Sequence, residues 1–339
     1  MRHGNIWAVV LAGGSGVRLS ELTLDRRGRP VPKQYCSLDG GPSLMMLAVK
    51  RAQALVPPER VCAVVAAEHW HWWEPLELHF AAGNLFVQPS DRGTGNGVLL
   101  AALTVLQRDP DARIVFFPAD HYVQRESVLT LAARDALDGL SPGSADVAIV
   151  AISPDRPDPG LGYVVPKAEE NLDARLVEAF VEKPDAERAQ ALIAQGALWN
   201  SMIFAAHGAG MVDLFSRHFP CTVARMRVLI ARYGEPESPS LLLADLYERL
   251  PSIDFSRDVL QEATDRLRIS RAQPCGWSDL GTPPRVAEVV LRLGCKLPKA
   301  RPSDRSFGAA PDLAQAVLAR MRLAPKVRST GAERSAALA

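Results

Sequence analysis

The residues whose types could do chemistry begin where the first apolar run ends. The run from Ile6 to Leu11, with Ala12 behind it, stops at Gly13-Gly14-Ser15-Gly16, and two cations, Arg18 and Lys33, follow. Glycines let backbone N–H groups turn toward an anion with no Cβ in the way, and the cations add positive charge; the combination suits a polyphosphate bound edge-on. A plain tight turn is the other reading of the same residues. Two familiar phosphate loops are excluded. A dinucleotide fingerprint needs a third glycine, where this chain has Leu19, and an acid about 20 residues on, where it reads Arg29-Pro30-Val31-Pro32. The P-loop pattern is absent as well. Asp120, in Phe117-Pro118-Ala119-Asp120-His121, closes another apolar run. A carboxylate there reads most plainly as a helix cap or turn residue.

Elements must place these groups together. Short continuously apolar runs at 6–11, 61–66, 85–87, 113–117 and 146–152 read as buried strands, and helical spacing at 43–55, 97–107 and 128–137 alternates with them. The pattern predicts an α/β fold, a Rossmann-like doubly wound, mostly parallel sheet covered on both faces. Ligands then bind beyond the carboxyl ends of the strands, where the glycine loop and Asp120 both lie. The runs 160–166 and 176–185 read as an inserted antiparallel section turning near Asn171-Leu172-Asp173. Helices follow at 186–195, 211–218, 223–233 and 284–293, with a strand over Leu198–Ala206 between the first two. After Lys296 the composition shifts to Arg, Pro, Ser and Ala. The expected division is a domain over 5–296 and a tail over 297–339, with one helix at 311–322 and a disordered end.

Composition excludes several function classes. The 339 residues carry a formal net charge of +1, so nothing electrostatic favours nucleic acid or a membrane surface. The five cysteines are scattered without a CxxC pair, which argues against a zinc site and a disulfide framework and suits a reducing cytoplasm. No signal peptide or long apolar span is read, so the expected location is cytoplasmic. The segment Ala66–Pro75, with His69 and His71 among Trp70, Trp72 and Trp73, matches no metal spacing and is read as packing against the sheet or a neighbouring subunit.

Further motifs extend the argument. "LAGGSGVRL" and "PKQY" are followed in order by "QPSDRGTGNGV", "FPADHYV", "GLGYVVP", "FVEKPD", "WNSMIF", "SIDF" and "WSDLGTP". The set resembles the sugar-1-phosphate nucleotidyltransferases, and within them the bacterial mannose-1-phosphate guanylyltransferases, over roughly residues 5–295. The resemblance implies a nucleotide-diphospho-sugar transferase fold and an in-line reaction. A sugar 1-phosphate oxygen attacks the α-phosphorus of a nucleoside triphosphate, GTP by preference, and pyrophosphate leaves. Positioning and charge neutralisation carry such a reaction. The resemblance implies Mg²⁺ as cofactor, held by Asp120 and Asp279. It implies Arg18, Lys33 and Lys183 at the phosphates as catalytic cations beside Asp120. Leu11, Ala12, Gly13, Gly14, Gly16, Arg18, Gln88, Arg92 and Thr94 would meet the nucleotide; Gly162, Glu182, Asn200 and Asp254 would meet the sugar. For Asp254 a helix cap is the plainer reading.

The chain departs from the family pattern at three places. Val17 stands where threonine is usual, Gly93 replaces an asparagine, and Gly95-Asn96 replaces an Ala-Pro pair. The last two border the base in relatives, so uridylyl or thymidylyl transfer to glucose 1-phosphate stays open beside guanylyl transfer to mannose 1-phosphate. A catalytically inactive nucleotide-sugar-binding homologue is the rival from another class. Arg18, Lys33, Asp120, Lys183 and Asp279 weigh against it, since each keeps the right chemical type. A homo-oligomer is the one macromolecular partner left open.

Overall fold

Alternation in the first strand already requires two cores. In β1 (Ile6–Ala12), Ile6, Ala8, Val10 and Ala12 enter one apolar cluster while Trp7 and Val9 enter another. A strand buried on both faces needs cover on both, and the helices supply it. The structure, a computed structural model, describes residues 5–25, 27–140, 146–167, 176–232, 239–294, 312–313 and 315–317.

In chain order the elements after β1 are α1 (Leu44–Gln53), β2 (Val61–Ala66), α2 (Trp70–Trp73), β3 (Leu85–Gln88), α3 (Gly93–Arg108), β4 (Arg113–Pro118) and α4 (Glu126–Asp138). They continue as β5 (Val147–Ile152), β6 (Tyr163–Pro166), β7 (Val177–Val181), α5 (Ala186–Ala194), β8 (Leu198–His207), α6 (Gly208–His218) and α7 (Pro220–Ala231). The last are α8 (Pro239–Arg249), β9 (Leu267–Arg271) and α9 (Pro283–Arg292). The sheet runs β3-β2-β1-β4-β8-β5-β9, parallel except for β8, which is antiparallel to both β4 and β5. The β6–β7 hairpin branches off β8, as the inserted antiparallel section expected from the sequence. Leu44 of α1, Leu129 of α4 and Val286 of α9 pack on one face; Leu99 of α3, Met211 of α6, Val223 of α7 and Tyr247 of α8 pack on the other.

Beside earlier starts of α6 and α7, three elements differ from the sequence reading. Helix α3 starts at Gly93 rather than 97, because Gly93 takes a positive φ of 80° and lets the chain enter the helix early. Strand β9 has no counterpart in that reading: it is a short outer strand whose Leu267 and Ile269 alone face the core, with Arg268 between them and Ser270 and Arg271 after. Helix α8 has none either. Leu241 and Leu242 are exposed while Leu243, Leu246 and Tyr247 are buried, so its apolar residues do not form one clean stripe.

In the tail, Leu313 and Val317 are buried against the α1 side of the sheet, and the Leu313 N–H donates to Ser37 O at 2.9 Å. The rest of the expected 311–322 helix, the disordered end and the turn at 171–173 lie outside the described residues. No described helix is long and apolar enough to cross a membrane. His69 is buried, with its ring edge-on to Tyr35, and Trp73 donates to Ala66 O at 2.8 Å, so this segment packs locally, whereas Trp70 lies exposed, stacked on His71.

The glycines of "RGTGNG" have a steric cause. Ile253 N–H donates to Arg92 O at 3.0 Å and Gly95 N–H to Ile253 O at 2.8 Å, which presses the 251–255 segment onto the start of α3. A Cβ at Gly93 would stand 2.3 Å from Ile253 O, and one at Gly95 would stand 2.4 Å from the Ile253 side chain. Gly196 supplies a control, with φ 83° and no neighbour within 4 Å of a Cβ. We expect Gly196→Ala to cost about 1 kcal/mol, from backbone strain alone, and Gly93→Ala about 3 kcal/mol, because backbone must also move. Urea unfolding midpoints of the two variants check the difference.

Candidate active site

The parallel strands deliver the glycine loop, and one side chain pins it. Buried Gln34, in the short 3-10 turn Lys33–Tyr35, donates through Nε2 to Ala12 O (2.9 Å) and Gly14 O (2.8 Å). With those carbonyls held, the N–H groups of Gly14, Ser15 and Gly16 have no protein acceptor among the described residues. Three unpaired donors in a row beside a cavity are a candidate anion nest. Gly16 sits at φ 63°, and a Cβ there would stand 2.9 Å from the Lys33 nitrogen, so the loop and the lysine segment are in backbone contact.

The cavity beside the nest holds about 480 Å³. Leu11, Ala12, Gly13, Gly14, Gly16, Gln34, Gln88, Thr94 and Asp120 line it, as do Met202, Asp254 and Arg257. Of the expected nucleotide residues, the loop, Gln88 and Thr94 therefore meet. Gln88 donates to the Tyr247 hydroxyl at 3.1 Å, and Thr94 Oγ1 accepts from Phe255 N–H at 3.0 Å. Arg92 is a correction. Its guanidinium donates to Tyr247 O (2.8 Å) and Glu248 O (3.2 Å), the carbonyls at the end of α8, and does not line the cavity. A cation is drawn to the unsatisfied carbonyls of a helix C-terminus. Arg18 is exposed outside the cavity lining, on the 3-10 turn Val17–Leu19.

Behind the nest, Lys33 is buried and joins two loops. Its Nζ donates to Asp120 Oδ2 at 2.9 Å, to Asp279 O at 2.7 Å and to Leu280 O at 3.3 Å. Tyr122 and Ser278 exchange both backbone hydrogen bonds at 2.9 Å, and Trp277 Nε1 donates to His121 Nδ1 at 3.3 Å. These contacts lay the loop after β4 against the loop before α9. Burial opposes ionisation of Asp120, but the Lys33 ammonium, joined by His121 only when that ring is protonated, outweighs it and holds the carboxyl below its usual range. Burial pushes His121 down to about 4, against the pull of Asp120, so the imidazole is neutral at neutral pH and orients the loop without charge.

The expected sugar residues form a second group. A Cβ on Gly162 would stand 2.6 Å from Glu182 Oε2 and 3.4 Å from Asn200 Cβ, so these three are neighbours. Lys183, at φ 47°, pairs with Glu182 at 2.7 Å. Asn200 accepts from Met202 N–H at 2.9 Å and donates to Ser256 Oγ at 3.3 Å. Asp254 caps the turn that follows it, accepting from Ser256 N–H (3.0 Å) and Arg257 N–H (3.1 Å), while also lining the cavity.

The expected metal pair needs correcting too. Mg²⁺ binding asks for free carboxylate oxygens. Asp120 presents its carboxylate at the cavity, but Asp279 has both oxygens 2.5 Å from Arg285 Nη1 and does not line it. Among the described residues no group of three His, Cys, Asp or Glu side chains gathers for a metal. The two do not form a pair of open carboxylates for Mg²⁺; of them Asp120, though its Oδ2 is paired with Lys33, is the one that reaches the cavity. Sequence reasoning missed Gln34, Tyr247, Arg257 and Arg285. Gln34 had a signal in the P-K-Q motif, whereas the others take their places only through packing.

Comparison with known proteins agrees with the motif order. The profile of the nucleotidyl transferase family matches residues 7–293. The mannose-1-phosphate guanylyltransferase of Escherichia coli K12 is 26% identical over 83% of this chain and 59% of its own length. The alginate biosynthesis protein AlgA of Pseudomonas aeruginosa is 28% identical over 81% of this chain and 56% of its own. The chain thus spans under three-fifths of the length of these curated relatives. Among solved structures, a Thermus thermophilus protein described as a mannose-1-phosphate geranyltransferase superposes with a TM-score of 0.68 at 29% identity, covering 82% of this chain and 76% of that one. A Helicobacter pylori mannose-6-phosphate isomerase shares the fold, with a TM-score of 0.61 at 19% identity over 81% of this chain and 99% of its own.

The pinned loop yields a test. Gln34→Leu leaves the Ala12 and Gly14 carbonyls without their partner and frees the nest to close on itself. We expect triphosphate affinity, read by calorimetry with inorganic tripolyphosphate, to fall about ten-fold.

Proposed function

Because the chain belongs to the nucleotidyl transferase family, we propose that it joins a nucleoside triphosphate to a sugar 1-phosphate, releasing pyrophosphate and leaving a nucleotide-sugar. The observation that carries this reading is the row of unpaired N–H groups at Gly14, Ser15 and Gly16, on a loop whose Gly14 and Gly16 line one cavity with Asp120 and Arg257. Such a nest holds the triphosphate by its oxygens, and fixed donors stabilise the charge that grows on them as the α-phosphorus is attacked. Arg18, exposed just beyond the loop, and Arg257 in the cavity lining are the cations available to the departing pyrophosphate. The sugar 1-phosphate would enter from the side of Gly162, Glu182, Lys183 and Asn200. There the Lys183 ammonium can move from Glu182 to the phosphate. A divalent cation arriving with the triphosphate would supply further charge neutralisation, with Asp120 as the protein carboxylate open to it.

GTP and mannose 1-phosphate are the proposed pair, on the guanylyltransferase identity of the E. coli relative and the ordered motifs shared with that group. A pyrophosphate-release assay crossing four nucleoside triphosphates with several sugar 1-phosphates tests it. Release is expected with GTP and mannose 1-phosphate. Release only with UTP or dTTP overturns the base assignment, and no release with any pair overturns the activity. Asp120→Asn is expected to lower turnover about 100-fold or more with an unchanged circular dichroism spectrum.

A further inference from the structure

Arg285, on α9, is buried at a place where the sequence suggested only a carboxylate. Its Nη1 bonds both oxygens of Asp279 at 2.5 Å, and its Nη2 pairs with Asp158. The three side chains are nearly enclosed, with 10%, 14% and 13% of their surfaces exposed. Two glycines make room for the guanidinium. A Cβ on Gly281 would stand 2.3 Å from Asp279 Oδ2 and 3.1 Å from Arg285 Nη1, and one on Gly160 would stand 3.2 Å from Arg285 Nη2. The arginine thus occupies a fitted cradle between two loops. The planar guanidinium matches carboxylates on two edges, which a metal-binding carboxylate would have to break.

We propose that Arg285 withdraws Asp279 from metal binding, so that of this pair Asp120 alone serves a divalent cation, phosphate and water completing its coordination. The inference rests on the nucleotidyltransfer reading for its phosphate ligands. Asp279 acts instead as a strut. Its side chain is fixed by Arg285, while its backbone oxygen and that of Leu280 hold the Lys33 ammonium against Asp120. Arg285 is therefore a positioning residue, acting through Asp279 and Lys33. Metal affinity should be low in the free protein and should rise when a triphosphate supplies the missing oxygens, because hard cations gain affinity with each anionic ligand.

The test is Mn²⁺ titration of the full chain, followed by the electron paramagnetic resonance of the free ion, with and without one equivalent of GTP and no sugar phosphate. With GTP, Asp120→Asn is expected to weaken Mn²⁺ binding about ten-fold or more, while Asp279→Asn, which keeps an oxygen for Arg285, stays within about two-fold of the unaltered protein. Arg285→Met alone leaves two carboxylates unpaired and can unfold the loop. The double variant Asp158→Asn/Arg285→Met keeps the local net charge and frees Asp279. Without nucleotide it is expected to bind Mn²⁺ about ten-fold tighter than the unaltered protein, and adding Asp279→Asn should remove the gain. Equal losses from Asp120→Asn and Asp279→Asn overturn the proposal, as does a double variant with no gain. Failure of the unaltered protein to hold Mn²⁺ even with GTP also overturns it, and the pyrophosphate assay decides the transfer activity separately.

Discussion

An ammonium taken out of water must replace its hydration with fixed oxygens, and Lys33 does so with a carboxylate and two carbonyls. Those three oxygens come from two loops far apart in the chain, one after β4 and one before α9. Meeting the lysine's requirement therefore fixes where both loops sit. The Tyr122–Ser278 backbone exchange and the His121–Trp277 contact hold them there, and Leu280 takes a φ of 48° so that its carbonyl can turn inward. A non-glycine residue in that conformation costs about 1–3 kcal/mol, which the surrounding contacts must offset. The neutral His121 adds shape without a competing charge, and the Asp120 carboxylate stays ionised beside its ammonium.

The same logic repeats on the other side of Asp279. A carboxylate nearly closed from solvent needs a cation, and Arg285 supplies it while serving Asp158 as well. The result is a continuous run of charge pairs, Asp158 to Arg285 to Asp279, then through backbone oxygens to Lys33 and Asp120. Breaking one partner of such a buried set leaves the next charge uncompensated, which is far more costly than the pair's net worth. The run therefore works as a frame that aims Asp120 at the cavity.

The part of the cavity lined by Met202 has a different origin. Strand β8 is antiparallel to its neighbours, and its register against β5 shifts so that Ser201 and Met202 have no partner there. Met202, at φ 57°, is thrown toward the cavity, while Asn200 holds its backbone and reaches Ser256. A bulge of this kind re-aims side chains at the edge of a site. Helix α8 closes the Gln88 end of the cavity by bonding Gln88 through Tyr247 and by drawing Arg92 away to its last carbonyls.

The glycine loop, its following cations, the alternating strands and the position of Asp120 at a strand end were all legible in the sequence. Each is a local consequence of residue type and spacing: apolar runs must be buried, glycine permits an anion nest, and strand ends face the ligand side. Gln34 was legible in its motif though its job was not, because only the folded loop shows which carbonyls it holds. Arg92 and Asp279 carried the right chemical types for ligand contact, but a charged side chain goes to whichever opposite charge lies nearest in space. Helix α8 put carbonyls in front of Arg92, and the cradle between Gly160 and Gly281 put Arg285 in front of Asp279. The sequence by itself determined the fold class and the glycine loop at the end of the first strand, since both depend on short-range pattern. Which charges point into the cavity and which neutralise one another was decided only by tertiary packing, because Coulomb attraction at hydrogen-bond distance depends on neighbours that the fold, and not their spacing in the chain, brings together.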